Sequence, residues 1–281
     1  MCLIVFDWQP EADDGAVLTL TANRDEFLRR TSAPLAWWED LPGVLAGRDL
    51  EGGGTWLGVS RDGRFAALTN YRAPFDIRAG APTRGRLVSD FLGGRNLAPL
   101  DYLQQLAGTA ALYNGFNLLV GDCRRRELAW FCNRPAEPDT ALDAPLLIEA
   151  GIHGLSNARL DTPWPKLVHK RSELGTLLTY EAAPSLDALI EIMRDTRTAD
   201  DDALPRTGIP LERERALSAA FIETPEYGTR GTTALRVTLK EGSRLSVEIK
   251  ERCDDDGSHR IVRPGAFERA MNFDVVLGDG R

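Results

Sequence analysis

The chain has 281 residues, 43% hydrophobic and 27% charged, a globular rather than a disordered composition. Its net charge of -8 gives it no overall attraction to nucleic acid. No apolar run reaches the ~18 residues of a membrane span, and the apolar residues 3–6 have no basic segment before them, so neither a spanning helix nor a secretory signal is expected.

Residues 3–6 predict a short strand. Residues 16–21 alternate Val17, Leu18 and Leu20 with threonines, a second strand that Asn23-Arg24-Asp25-Glu26 closes as a polar turn. Residues 56–60 and 65–71 form a hairpin around Asp62-Gly63. A Pro-, Gly- and Arg-rich loop covers 73–85, and residues 86–92 and 99–107 show helical spacing. Strands follow at 116–121 and 127–132 around a turn at 122–126, then at 151–157. Pro165 opens a helix where its missing N–H does no harm, and Ser185 caps the next. The acidic, non-periodic 195–208 reads as an exposed loop, and 232–239 with 244–250 as a late hairpin around Glu241-Gly242. No repeat or linker divides the chain. The expectation is one domain over residues 1–281, of α+β class, with helices covering antiparallel sheets.

The four cysteines, Cys2, Cys123, Cys132 and Cys253, form no CxxC pair, which argues against zinc knuckles and thioredoxin-type sites. Reduced thiols in a cytoplasm are the expected state. With 3 histidines, a Ser-His-Asp arrangement has little to choose from. Cys2 offers another route. If Met1 is removed, Cys2 gains a free α-amine with an ordinary pKa of ~8, able to take the proton from its own thiol. Asp25 could then hold the ammonium, Arg24 an anionic substrate group, and Asn23 the turn or an oxyanion, while Glu26 could pair with an arginine. Asparagines and basic residues at strand ends (Asn70, Arg72, Asn114, Asn117, Asn157 and Arg230) are the remaining candidates; each is also an ordinary turn residue. Gly52-Gly53-Gly54 lacks the Gly-Lys-Ser/Thr ending of a phosphate loop. Asp200–Asp202 and Asp254–Asp256 lack calcium-loop spacing and read as exposed acidic turns, so no metal site is expected.

Together, Met1-Cys2, Asn23-Arg24-Asp25-Glu26, Gly53-Gly54-Thr55-Trp56-Leu57-Gly58, Ala67-Leu68-Thr69-Asn70-Tyr71-Arg72, Tyr113-Asn114-Gly115-Phe116-Asn117-Leu118, Gly154-Leu155-Ser156-Asn157 and Tyr227-Gly228-Thr229-Arg230 resemble the NRDE family, that of the transport and Golgi organisation protein 2. The motifs span about residues 1 to 240. The resemblance implies an N-terminal-nucleophile (Ntn) hydrolase-like fold, a four-layer αββα sandwich of two antiparallel sheets. It matches Asn157 to an oxyanion asparagine and Arg230 to an active-site arginine; joined to the residue reading, the expected catalytic set is Cys2, Asp25, Asn157 and Asn70, with Asn23, Arg24, Glu26, Arg72, Arg230 and Trp56 around the substrate. More distant relatives place an arginine before the equivalent of Asn23, where this chain has Ala22. The expected activity is hydrolysis of an amide or thioester of an acyl-bearing small molecule through an acyl-enzyme, with no cofactor required. The alternative the family implies is a non-catalytic carrier of haem or an acyl-CoA or lipid; in this sequence His153, His169 or His259 could be an axial ligand, Arg24, Arg72 and Arg230 could meet propionates or phosphates, and Trp37, Trp38 or Trp56 could stack on the ligand.

Overall fold

The computed structural model describes residues 2–137, 140–241, 244–254 and 267–277. Two antiparallel sheets stack face to face. The first runs, in spatial order, β10 (Gly151–Leu155), β1 (Cys2–Trp8), β2 (Gly15–Phe27), β11 (Tyr227–Lys240), β12 (Arg244–Cys253) and β13 (Phe267–Val276). The second runs β3 (Ser32–Trp37), β4 (Val44–Asp49), β5 (Leu57–Ser60), β6 (Arg64–Asn70), β7 (Phe116–Asp122), β8 (Glu127–Cys132) and β9 (Leu146–Leu147).

The core lies between the sheets, where Ile4, Phe6, Leu18 and Leu20 meet Leu45, Val59, Phe65, Leu119 and Trp130. Helices α1 (Gly85–Gly93) and α2 (Pro99–Ala107) cover the outer face of the second sheet, packing Leu87, Phe91 and Leu103 on Ala66, Leu118 and Phe131. Helices α3 (Pro165–Tyr180) and α4 (Leu186–Glu191) cover the first, packing Leu167, Leu174 and Ile190 on Leu3, Val5 and Ala234. The layer order is therefore αββα, as expected. Another short helix, α5 (Leu211–Ala216), follows the acidic loop.

Covering both faces changes what a central strand must be. In β2, Val17, Leu18, Leu20 and Thr21 are fully buried, and Thr19 nearly so. A buried threonine needs a partner, and Thr21 Oγ1 donates to the Leu189 carbonyl of α4 at 2.9 Å. The predicted helices appear at their places. Pro165 is the first residue of α3, and Ser185 accepts from the Ala188 N–H at 3.1 Å.

Three expectations need correction. Asn23-Arg24-Asp25-Glu26 is not a turn, because β2 continues through Phe27. It pairs on one side with β1 (Cys2 opposite Arg24) and on the other with β11 (Thr229 opposite Asp25, Tyr227 opposite Phe27). Two ladders of backbone hydrogen bonds outweigh the turn preference of four polar residues. Asp254 is not exposed; it is 1% exposed and ion-paired with Arg230, whereas Asp255 and Asp256 lie outside the described residues. The expected 151–157 strand ends at Leu155, freeing Ser156 and Asn157 to bond across the sandwich.

Candidate active site

The start of β1, the end of β2 and the end of β6 meet at one end of the sandwich. There they open into a cavity of about 300 Å³ whose lining includes Cys2, Arg24, Asp25, Glu26, Trp56 and Asn70. Cys2 is 8% exposed, and burial pushes its thiol above the ordinary range; the Asp25 charge adds to that shift, and the Asp25 backbone N–H opposes it. The thiol is therefore protonated at neutral pH and needs a base before it can attack.

Asp25 is held from three directions. Its Oδ1 accepts from Thr229 Oγ1 at 2.7 Å, its backbone carbonyl accepts from Tyr227 OH at 2.8 Å, and it lies opposite Thr229 in the β11 ladder. Burial raises its carboxyl above the usual carboxylate range; the Lys166 charge and the Thr229 hydrogen bond oppose the rise. Lys166, from the first turn of α3, was not singled out by the sequence. Its Nζ donates to the Leu217 carbonyl at 2.9 Å, and burial pulls its pKa down to about 8.

Two of the three arginines that line the cavity, Arg24 and Arg84, are held by neutral partners. Arg24 is 6% exposed, lies over the Trp56 ring with 4.2 Å to the centroid, and reaches Ser32 Oγ at 3.5 Å. Arg84, from the Pro- and Gly-rich loop, donates to the Gly115 carbonyl at 2.8 Å. Burial lowers both pKa values, with Glu26 opposing. Among the described residues neither forms an ion pair, whereas Arg30 in the same wall is neutralised by Asp49 at 2.6 Å. Glu26 accepts from the Phe27 N–H at 2.7 Å. Glycines shape this wall. A Cβ on Gly54 would fall 2.2 Å from the Gly85 carbonyl carbon, and one on Gly47 would fall 2.6 Å from the Trp56 ring. The Gly-rich segment thus packs against the start of α1, and Gly47 of β4 leaves room for the Trp56 ring.

Asn114 also lines this cavity, whereas Asn23, Asn117, Asn157, Arg72 and Arg230 do not. Asn23 faces the helix layer, where Nδ2 donates to the carbonyls of Met193 (2.9 Å) and Ala220 (2.7 Å) and Oδ1 accepts from Thr232 Oγ1 at 2.7 Å. Asn157 Nδ2 donates to the Asn70 carbonyl at 3.0 Å, and its own carbonyl accepts from the Arg72 N–H at 2.7 Å. It stitches the β10 end to the β6 end, as Asn117 does through Thr69 Oγ1 and the Ala158 carbonyl. Arg72 pairs with Glu214 at 2.5 Å and lies over Trp164. Arg230 binds Asp254 and the carbonyls of Phe27 (3.0 Å) and Arg30 (2.7 Å), locking the strand ends behind the cavity.

For a flat ligand, Trp37 packs on Phe273 and Arg61 and Trp38 donates to the Ala46 carbonyl, so of the three named tryptophans Trp56 alone lines the cavity. Both ring nitrogens of His153 are engaged, by Asp161 at 2.7 Å and the Glu149 carbonyl at 3.1 Å; His259 lies outside the described residues. His169, Glu173 and Asp195 come close enough to share a cation, but Lys170 already sits 2.7 Å from Glu173 and 3.2 Å from Asp195. No described helix is long and apolar enough to cross a membrane.

Several known proteins are similar to this chain. A worm N-acylethanolamine-hydrolyzing acid amidase orthologue (Caenorhabditis elegans) superposes with a TM-score of 0.45 at 9% identity, over 83% of this chain and 92% of that chain. The human Transport and Golgi organization protein 2 homolog is 36% identical over 285 residues, covering 95% of this chain and 99% of its own. The bovine homolog is 33% identical, over 87% of this chain and 94% of its own. The profile of the family described as Transport and Golgi organisation 2 matches residues 1–252, and the chain belongs to that family.

Proposed function

We propose that the protein is an Ntn-type cysteine hydrolase acting on an amide or thioester of a small acyl-bearing anion. The observation that supports this best is the meeting of Cys2 and Asp25 in a cavity where two of the three lining arginines, Arg24 and Arg84, have no ion-pair partner among the described residues. Removal of Met1 frees the Cys2 α-amine, whose charged form the Asp25 carboxylate stabilises. The amine takes the thiol proton, and Sγ bonds to the acyl carbon. The C–N or C–S bond then breaks, and the amine returns the proton to the leaving group. Water, deprotonated by the same amine, releases the acid. Asn70 lines the cavity and is the candidate oxyanion donor.

Intact-mass spectrometry during turnover of an acyl thioester tests the proposal. A chain lacking Met1 that gains one acyl group on Cys2 supports it. Undiminished turnover by Cys2→Ala, or by a chain that keeps Met1, overturns it. A carrier of an acyl compound or haem is the second reading. It is favoured by one observation, that the Asn157 amide is committed to the Asn70 carbonyl rather than turned to the cavity. Ligand binding that survives Cys2→Ala, with no acyl adduct on the unsubstituted protein, selects that reading.

A further inference from the structure

Beside the Cys2 cavity lies another, of about 360 Å³, walled largely by Tyr71, Pro74, Ile77, Ile209 and Leu217. The two cavities share Asn70, Arg84 and Asn114. Their characters differ for a reason visible in the ion pairs. Two of the charged groups that touch the second cavity are already neutralised, Arg72 by Glu214 and Asp76 by Arg134, each at 2.5 Å. Arg84 is anchored to the Gly115 carbonyl at the junction. Arg213 is exposed, so its charge stays in water. What remains is apolar wall, with Leu217 2% exposed and Ile77 72% exposed. An apolar side chain so open to solvent next to a cavity is a surface that a ligand can cover.

The geometry points to one two-compartment site. We propose that the substrate is an amphiphile whose aliphatic acyl chain occupies the Tyr71–Ile209–Leu217 cavity while its anionic leaving group lies in the Cys2 cavity against Arg24. Arg84, standing in both walls, divides the two and sets which end enters which. This deepens the hydrolase reading and rests on it for the direction of the substrate. The two cavities being one site does not depend on turnover. Each methylene buried in the apolar cavity should raise affinity about fourfold, and an acyl group too short to reach it should gain nothing.

The test is calorimetric binding of acetylglycine, butyrylglycine and octanoylglycine to the full chain carrying Cys2→Ala, which separates binding from acylation. Affinity should rise at least tenfold from acetyl to octanoyl. Ile209→Gln, and independently Ile77→Gln at the exposed rim, should flatten the series by weakening octanoylglycine toward acetylglycine. Arg84→Ala should weaken all three ligands. A flat series with the Cys2→Ala chain alone overturns the two-compartment site, whatever the acyl-adduct experiment shows. A rising series that neither cavity variant alters overturns the assignment of the chain to this cavity.

Discussion

Asn23 is 1% exposed, and both its amide hydrogens and its carbonyl oxygen have partners, two of them carbonyls in the layer outside the sheet. In Asn23→Ala the Met193 and Ala220 carbonyls and the Thr232 hydroxyl lose their partner. Three buried hydrogen bonds at about 1 kcal/mol net each, plus desolvated groups left unsatisfied, put the cost at about 3–5 kcal/mol. That is a large part of the roughly 5–15 kcal/mol that holds a domain together. Urea denaturation should show the midpoint falling with an unchanged slope. On the folded fraction, ligand affinity should stay within twofold, because Asn23 does not line the Cys2 cavity. A loss under about 1 kcal/mol, or a tenfold loss of affinity with stability intact, would refute the structural role of Asn23 and return it to the substrate.

Lys166 titrates near 8 in the folded chain and near 10.5 when unfolded. Between those values the unfolded chain holds the extra proton, so this group makes stability rise with pH from about 8 to 10.5, by at most about 3 kcal/mol. In Lys166→Met the rise should vanish when stability is followed across that range. Burial raises Cys123 to about 12 and Cys132 to about 11, and both pack in the core between the sheets. Peptide mapping after iodoacetamide treatment at neutral pH should therefore find Cys2 modified well before either, with both labelled only in denaturant. Gly54→Ala drives its Cβ into the Gly85 backbone, which cannot give way as a flexible side chain could. We expect a loss of roughly 1–3 kcal/mol by thermal melting and weaker anion binding, as the wall carrying Arg84 is pushed outward.

Local pattern carried much of the fold. The alternation of Val17, Leu18 and Leu20 with threonines, the Asp62-Gly63 turn between β5 and β6, the first-turn Pro165 and the Ser185 cap each depend on neighbours within a few residues, and each appears where its chemistry places it. Strands β3, β4 and β13 did not stand out, because their pairing partners supply the order that their own sequences lack.

Sequence by itself determined the family, the αββα layering that the family motifs imply, and the presence of Cys2 and Asp25 in one motif set. Tertiary structure alone decided the division of labour among the polar residues. Asn23 and Arg24 are adjacent in sequence, yet consecutive residues of a strand point to opposite faces. One is spent on carbonyls 170 and 197 residues away, and the other turns to the cavity. Arg72 and Arg230 looked like anion binders until buried carboxylates, Glu214 and Asp254, were found beside them. Arg84, in a loop with no periodicity to mark it, became a cavity residue because the chain brings no carboxylate within ion-pair reach of it among the described residues. A charge's role is set by what neutralises it, and partners so far apart along the chain are fixed only by the fold.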